Sequence, residues 1–499
     1  MINLLFDKPL KKIKKKDIIF NNELTKEEHH KLDELFKEFE DIISSDKKPK
    51  LRRTGIIQHE IKVTGHPIKG RPYPVKDNKR EKWMKKEIDH MLKEEIIKKS
   101  KSSWASPVVL VLKKDGSIRF CVDYKNVNKI TIEDAHPLPI VNDTVDKIGG
   151  KKYYTSVDLA SGYWQVEVDK NSKDITAFIT SWGLYQFNVM PFGLTNAPAT
   201  FQRLMNYVLH DYLNDFVVVY LDDILVCLDT FEEHLNHLRK VFTKLREANL
   251  VIKLKKCKFA QRKIKFLGHT IGTDGLRTDS ENIDKIINCP IPTDVTGVRK
   301  FMGLCNYYRK FIKGLSKLSK PLRRLLKKDV KFYWGPKEQE TFEKLKKILT
   351  EAPVLLFPNF NKPFKLCTDA SLKGLGAVLE QEDEDGNLRP VAYASRSLTP
   401  AEKNYHTTDL ECLAIIWSIR HFHKYLINKP FKIFTDHSAL KSLQKITEPT
   451  GRRARWIMEL QQYNFTIEHR SGKKNQNADA LSRLIPENIY KGEESSDSE

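Results

Sequence analysis

Apolar residues at positions 32, 35, 36, 39 and 42 recur at the three- and four-residue spacing of a single helix face. Thr25-Lys26-Glu27-Glu28 stands just ahead of them in capping-box form, so a helix is expected to start there and to pack through Leu32, Leu35, Phe36, Phe39 and Ile42. Pro67, Pro72 and Pro74 then impose extended chain before a second, charged helix over roughly 79–97, which the segment 100–107 closes. Strands dominate next: 108–112 and 118–122 flank Lys113-Lys114-Asp115-Gly116, predicting a hairpin whose basic tip could grip phosphates. A break at Asn288-Cys289-Pro290-Ile291-Pro292 precedes a helical, aromatic and basic stretch over 293–326. Its Tyr307-Tyr308-Arg309-Lys310 cluster has two equal readings, a surface for stacking and phosphate contact or a core helix with a solvated basic face. A further boundary at 358–363 opens an alternating strand over 364–369.

One run resists this patterning. Residues 217–226, Val-Val-Val-Tyr-Leu-Asp-Asp-Ile-Leu-Val, set two adjacent carboxylates inside what would otherwise be a buried strand. A tight turn there would favour Asn-Gly or Asp-Gly, and an acidic turn on a solvated hairpin is the bland alternative. Desolvating an unpaired carboxylate costs several kcal/mol, so a multivalent cation is the partner that best accounts for the pair.

Other acids stand at the ends of apolar runs. Thr155-Ser156-Val157-Asp158 reads as a strand ending in an acid, followed by a small-residue turn and Tyr163. Asp158 beside Asp222 and Asp223 would hold two magnesium ions about 4 Å apart, an arrangement suited to nucleotidyl transfer. Between them, 187–202 reads as a Gly- and Pro-containing loop running into a helix, open to close backbone approach by a ligand. Further on, Asp369 ends a strand, and 374–379 forms a second one. Thr399-Pro400-Ala401-Glu402 is expected to start a helix through about 425 that carries Glu411 beside Leu413, Ala414 and Trp417. A lone Glu there would read as exposed, but Asp436 at another strand end and Asp479 on a short closing helix change that weighting.

Composition narrows the partner. Lys and Arg number 87 against 65 Asp and Glu, a net charge of +22, which points to a polyanion and first of all to nucleic acid. The lysine run 11–16 reads as a solvated tail with backbone contact to nucleic acid as the alternative. The first apolar stretch, 2–6, is too short for a signal peptide or a span, so an intracellular protein without membrane association is expected. Seven scattered cysteines argue against a disulfide framework.

The order of the basic hairpin, Val-Asp-Leu-Ala-Ser-Gly-Tyr, Met-Pro-Phe-Gly-Leu-Thr-Asn-Ala-Pro and Tyr-Leu-Asp-Asp resembles the reverse transcriptase of gypsy-type LTR retrotransposon Pol proteins, over roughly 51–483. The resemblance implies an α+β multidomain chain: a right-hand polymerase with fingers, palm and thumb, then an RNase H-like α/β domain with a mixed five-stranded sheet. The expected division is 1–50 a basic, helical extension, 51–275 fingers and palm, 276–357 thumb and connection, 358–485 the RNase H-like domain, and 486–499 an acidic disordered tail. By the same resemblance Asp158, Asp222 and Asp223 are metal ligands, and Lys113 and Arg119 contact the incoming triphosphate. Tyr163 would exclude ribonucleotides at the sugar 2′ position, Phe192 and Gly193 would line the nucleotide pocket, and Tyr220 and Leu221 would lie beside the primer end. Phe266-Leu267-Gly268-His269 resembles the hairpin that grips the primer. Ile175, where many relatives have Lys, departs from the pattern with little catalytic effect expected.

Asp369, Glu411, Asp436 and Asp479 match the acids of the RNase H domain that follows the polymerase in these elements, with His437 accompanying the third acid and His469 packing or binding backbone. The implied cofactor is Mg2+, with Mn2+ as a substitute, two ions per centre. The implied partners are RNA template, DNA primer, RNA-DNA hybrid and dNTPs, with a homodimer left open and a cytoplasmic virus-like particle or the nucleus as compartment. No Asp-Ser/Thr-Gly motif precedes the polymerase and no His-Cys zinc pattern follows Arg483, so protease and integrase are expected on separate chains or absent. A degenerate relative that only binds nucleic acid, and an RNase H with an inert palm, are the competing readings; the presence of all seven acids argues against both.

Overall fold

A computed structural model describes residues 19–21, 23–44, 51–75, 77–112, 116–213, 215–436 and 451–469, and the chain divides into two compact units, Met1–Ile264 and Lys265–Glu499.

The first unit is organised by a five-stranded sheet in the order Ile19–Phe20, Lys258–Gln261, Tyr153–Asp158, Asp223–Leu228, Val217–Tyr220. Its central pair is antiparallel, with Asp158 directly opposite Asp223. The first helix is Lys26–Glu38, and the reciprocal Thr25–Glu28 capping box forms as expected. Its apolar face meets the sheet and the helix Phe231–Glu247: Phe36 packs edge-on to Phe259 at 4.8 Å and Phe39 to Phe242 at 5.5 Å. Such aromatic pairs add about 0.5–1.5 kcal/mol beyond their burial.

Two buried histidines tie helices into this unit. His234 meets Thr155 Oγ1 at 2.7 Å, and His59 meets Thr200 Oγ1 at 2.8 Å. Loss of hydration on burial holds both neutral, lowering His234 to about 3 and His59 to about 4. A second five-stranded sheet runs Ile97–Lys99, Gly183–Phe187, Phe178–Thr180, Ser106–Leu112, Ile118–Val122. The expected basic hairpin is its antiparallel edge pair, with the tip residues 113–115 outside the described ones. The charged helix is shorter than the expected 79–97. It spans Asn78–Lys93, Glu95 turns the chain at φ 53, and Ile97 enters the sheet opposite Phe187.

The second unit carries a mixed five-stranded sheet in the order Leu388–Ser397, Gly374–Glu382, Phe364–Ser371, Phe431–Thr435, Phe465–His469. The first two pairings are antiparallel and the last two parallel. Phe364–Ser371 does not alternate as expected: its central residues are buried consecutively, because this middle strand is covered on both faces. The Thr399–Glu402 box also forms, with Thr399 N–H donating to Glu402 at 2.8 Å and Glu402 N–H to Thr399 Oγ1 at 3.4 Å. It closes only the short turn Glu402–Asn404, where Arg396 grips the Glu402 carboxylate with two bonds of 2.6 and 2.9 Å. The helix proper is Thr407–His421, and a separate turn follows at His423–Leu426. The stretch 293–326 is likewise broken into Val295–Tyr307, Leu315–Leu318 and Lys320–Arg324, interrupted by Gly314 at φ 67. Among the described residues no helix is long and apolar enough to cross a membrane.

Two candidate carboxylate centres

In the first unit the Val217–Val226 run is two strands, not one. Val217–Tyr220 and Asp223–Leu228 are joined by a two-residue turn, Leu221-Asp222, and Tyr220 is paired with Asp223. Leu221 has φ 54, a left-handed conformation disfavoured for a residue with a Cβ. A side chain from elsewhere holds it: Leu221 N–H donates to Gln202 Oε1 at 2.7 Å. Gln202 is fully buried on the helix Ala197–Val208, and its amide donates to Asn206 Oδ1 at 2.9 Å and Val219 O at 3.3 Å. The turn that presents Asp222 is therefore set from beneath.

The strand register brings Asp158 to Asp223, and the turn adds Asp222. Lys256 Nζ lies 3.1 Å from Asp158 Oδ2. Asp222 and Asp223 remain open to solvent, yet the surrounding protein mass raises both carboxyls above the ordinary range. For Asp222, loss of hydration acts first and the charges of Asp158 and Asp223 second, together raising it to about 6. Asp158 is raised chiefly by loss of hydration, with Lys256 opposing.

Tyr163, in the turn Gly162–Gln165, is buried and stacks on Phe192 at 4.9 Å, with Phe201 behind it at 5.3 Å. Gly162 has to be glycine, since a Cβ there would come within 2.8 Å of the Phe201 ring. Phe192 is 49% exposed, and Gly193 sits at φ 99 with its carbonyl accepting from Asn128 at 2.9 Å. Carboxylates, aromatic wall and glycine loop thus share one unit. Arg119 is exposed on Ile118–Val122 of the second sheet, and Lys113 lies outside the described residues.

In the second unit Asp369, Glu411 and Asp436 offer ligand oxygens that all lie within 4.8 Å of one another, the one such group among the described residues. Asp369 comes from the central strand opposite Gly376, Glu411 from the helix packed on that strand, and Asp436 from the end of the neighbouring parallel strand. Asp369 and Glu411 are buried and Asp436 half-buried. Glu411 Oε1 accepts from Ala370 N–H at 3.3 Å. His469 Nε2 lies 3.0 Å from the Asp436 carbonyl, a backbone contact at the third acid. Asp479 and His437 lie outside the described residues.

Phe266, Leu267 and Gly268 belong to this unit and form the end of Lys263–Phe266 and a tight turn before His269–Gly272. Lys256 and the role of Gln202 are not marked in the sequence, because nothing local marks a residue that acts on a segment far along the chain. Gln202 did lie at the end of the Gly- and Pro-rich run, the one available hint.

Divalent ions such as Mg2+ take hard oxygen donors; the second group brings its carboxylate oxygens within 4.8 Å of one another, while the first is brought together by strand register and the turn. Residues 111–271 match the family model described as reverse transcriptase (RNA-dependent DNA polymerase), and residues 359–463 the RNase H-like domain found in reverse transcriptase. The chain is 40% identical over 475 residues to the retrovirus-related Pol polyprotein from transposon 297 of Drosophila melanogaster, covering 94% of this chain and 44% of that protein. It carries a reverse transcriptase domain and an RNase H-like domain, and its relatives are Pol polyproteins of transposons. The transposon Tf2-3 polyprotein of Schizosaccharomyces pombe is 39% identical over 463 residues, covering 91% of this chain and 35% of that protein. The chain therefore spans less than half the length of these curated relatives. Among solved structures, the foamy viral protease-reverse transcriptase in complex with dsDNA is similar at TM-score 0.79 and 25% identity, covering 90% of this chain and 94% of that one. A dRH form of the same viral protein with ds DNA gives TM-score 0.80 at 25% identity, covering 90% and 79%. The α+β architecture expected of a Pol reverse transcriptase with a mixed five-stranded RNase H-like sheet is the one observed.

Proposed function

We propose that this chain is an RNA-directed DNA polymerase that also hydrolyses the RNA strand of RNA-DNA hybrid. The reading rests on one observation above the others: two separate triads of carboxylates, one in each matched domain. Residues 51–275 would be fingers and palm, 276–357 thumb and connection, and 358–485 the RNase H-like domain, between the extension 1–50 and the tail 486–499.

In the palm, Asp158, Asp222 and Asp223 would hold the divalent ions, Mg2+ or Mn2+, two per centre. When bound, these ions supply charge neutralisation for the attacking hydroxyl and the leaving pyrophosphate. Tyr163, braced by Phe192 and Phe201, closes the space where a 2′-hydroxyl would sit, and its buried ring has nowhere to retreat. Gly193 allows backbone to approach the nucleotide, Arg119 and Lys113 meet the triphosphate, and Tyr220 and Leu221 border the primer end. In the second unit Asp369, Glu411, Asp436 and Asp479 would hold the divalent ions, which would supply activation of water against an RNA phosphate, with His437 on the substrate side. RNA template, DNA primer and dNTPs are the partners. The net charge of +22 and the similarity to a viral enzyme solved with dsDNA support nucleic acid.

Incorporation of dTTP on poly(rA)·oligo(dT) with Mg2+ or Mn2+, and release of fragments from a labelled RNA-DNA hybrid, test the reading directly. Tight hybrid binding with neither reaction would instead favour a relative that binds nucleic acid without catalysis.

A further inference from the structure

We propose that Tyr307 and Tyr308 form a latch on the turn Leu267-Gly268 and act as positioning residues for the primer terminus. The role rests on the polymerase reading above; the latch itself rests on geometry within the second unit.

Leu267 has φ 46 and Gly268 φ 69, so both central residues of this tight turn are left-handed. A turn of that kind suits Gly at its second position but strains Leu at its first. Its two central carbonyls also point out of the strand ladder and need partners from elsewhere. Both find them on one helix end. Tyr307 Oη donates to Leu267 O at 2.5 Å and Tyr308 Oη to Gly268 O at 2.6 Å.

Two further groups complete the set: His269 Nδ1 lies 2.8 Å from Leu267 O, and Asp279 N–H donates to Gly268 O at 3.3 Å. Asn282 Nδ2 donates to Tyr308 Oη at 2.8 Å, which commits the phenol hydrogen to Gly268 O. Space is equally restricted. A Cβ on Gly268 would stand 3.2 Å from Tyr307 Oη and from Asn282 Nδ2.

Consecutive helical residues point about 100° apart and do not normally serve one target. Here Tyr307 is the last residue of Val295–Tyr307 and Tyr308 its cap at φ −95, ψ 19, so the helix ends where the two rings converge. The rings meet edge to face at 4.9 Å, and the buried His269 ring lies 5.5 Å from each. Phenylalanine would fill the same volume, so packing alone gives no reason for two hydroxyls aimed at adjacent carbonyls. What the hydroxyls add is a fixed turn; on the polymerase reading, in which Phe266-Leu267-Gly268-His269 is the segment that grips the primer, that fixity would keep the 3′-hydroxyl aligned.

The test compares the parental chain with Tyr307→Phe, Tyr308→Phe and the double variant. Single-turnover extension, primer-template affinity and hybrid cleavage are measured on each. The latch predicts that the double variant loses roughly tenfold in the extension rate, each single variant less, while duplex affinity, dominated by phosphate contacts, stays within about twofold. Hybrid cleavage should stay at the parental level and reports that the unit is folded. Parental extension in the double variant overturns the latch, as does a joint loss of extension, affinity and cleavage, which would mark a merely structural role. A parental chain that binds duplex but does not extend it would overturn the polymerase reading and the positioning role together, an outcome distinct from extension indifferent to both hydroxyls.

Discussion

In the first unit three carboxylates come from a hairpin turn and a facing strand end, two of them open to solvent, with Lys256 held 3.1 Å from the third. In the second unit three carboxylates come from two parallel strands and a helix, draw within 4.8 Å of one another, and two are buried. The same chemical requirement, acidic groups brought together, is met in one case at an exposed turn and in the other by enclosure, and each centre has a lysine acting on an acid, Lys256 on Asp158 and Lys317 on Asp369. An open triad can take a large, changing substrate such as a primer end with a nucleotide. A closed triad suits a single phosphate presented by a duplex. Without a metal ion Lys256 screens Asp158, while Asp369 feels the charge of Lys317 and is enclosed, with Glu411, by the strand and helix that bury them.

The largest effect expected is a separation of activities. Asp222→Asn should reduce primer extension by about a thousandfold or more and leave hybrid cleavage within about twofold; Asp436→Asn should do the reverse. One variant disabling both reactions would mean that the centres are not independent.

Acid should act next, and on the first unit. His59 and His234 are buried neutral and lowered to about 4 and about 3, while in the unfolded chain they titrate near 6.5. The unfolded state thus binds more protons below that value. Stability from these groups is complete above pH 6.5 and is lost as pH falls toward 4 and below, by on the order of several kcal/mol for the pair. Melting followed between pH 8 and 4 should show the first unit weakening, and His234→Gln should flatten that dependence. A slope unchanged in the variant would exclude His234 as its source.

Gln202→Leu removes the side chain that holds Leu221 in its left-handed turn, and extension should fall by about ten- to a hundredfold with cleavage intact. The smallest effect is thermodynamic. Without metal, Glu411→Gln relieves charge repulsion in the closed triad and should stabilise the second unit by about 1 kcal/mol, while abolishing further stabilisation by Mg2+. Asp158→Asn in the open triad should gain less, because Lys256 loses its partner. Calorimetry with and without Mg2+ would separate the two, and equal gains would remove the distinction between open and enclosed centres.

Much of this was legible because acids in apolar runs are anomalous. Asp158, Asp222, Asp223, Asp369 and Asp436 each end or interrupt a hydrophobic stretch. Glu411 was legible only in company, since a glutamate on a helix is ordinary. A local motif misled on extent: the Thr399–Glu402 box is real but closes a single turn, and the helix that carries Glu411 starts only at Thr407. The adjacent acids looked like the middle of a strand, yet Leu221 accepts a left-handed turn because Gln202, nineteen residues earlier, compensates it.

Sequence alone determined which acids stand out from apolar surroundings, the basic charge balance and most of the strands, since these follow from side-chain chemistry and from hydrophobic spacing that every segment carries within itself. Tertiary structure alone decided that Lys256 meets Asp158, that Gln202 pins the Asp222 turn, that two tyrosines converge on the Leu267-Gly268 turn, and that one triad is open and the other closed. Those are distances between segments remote along the chain. They depend on strand register and helix ends, where one residue of slip points a side chain to the opposite face.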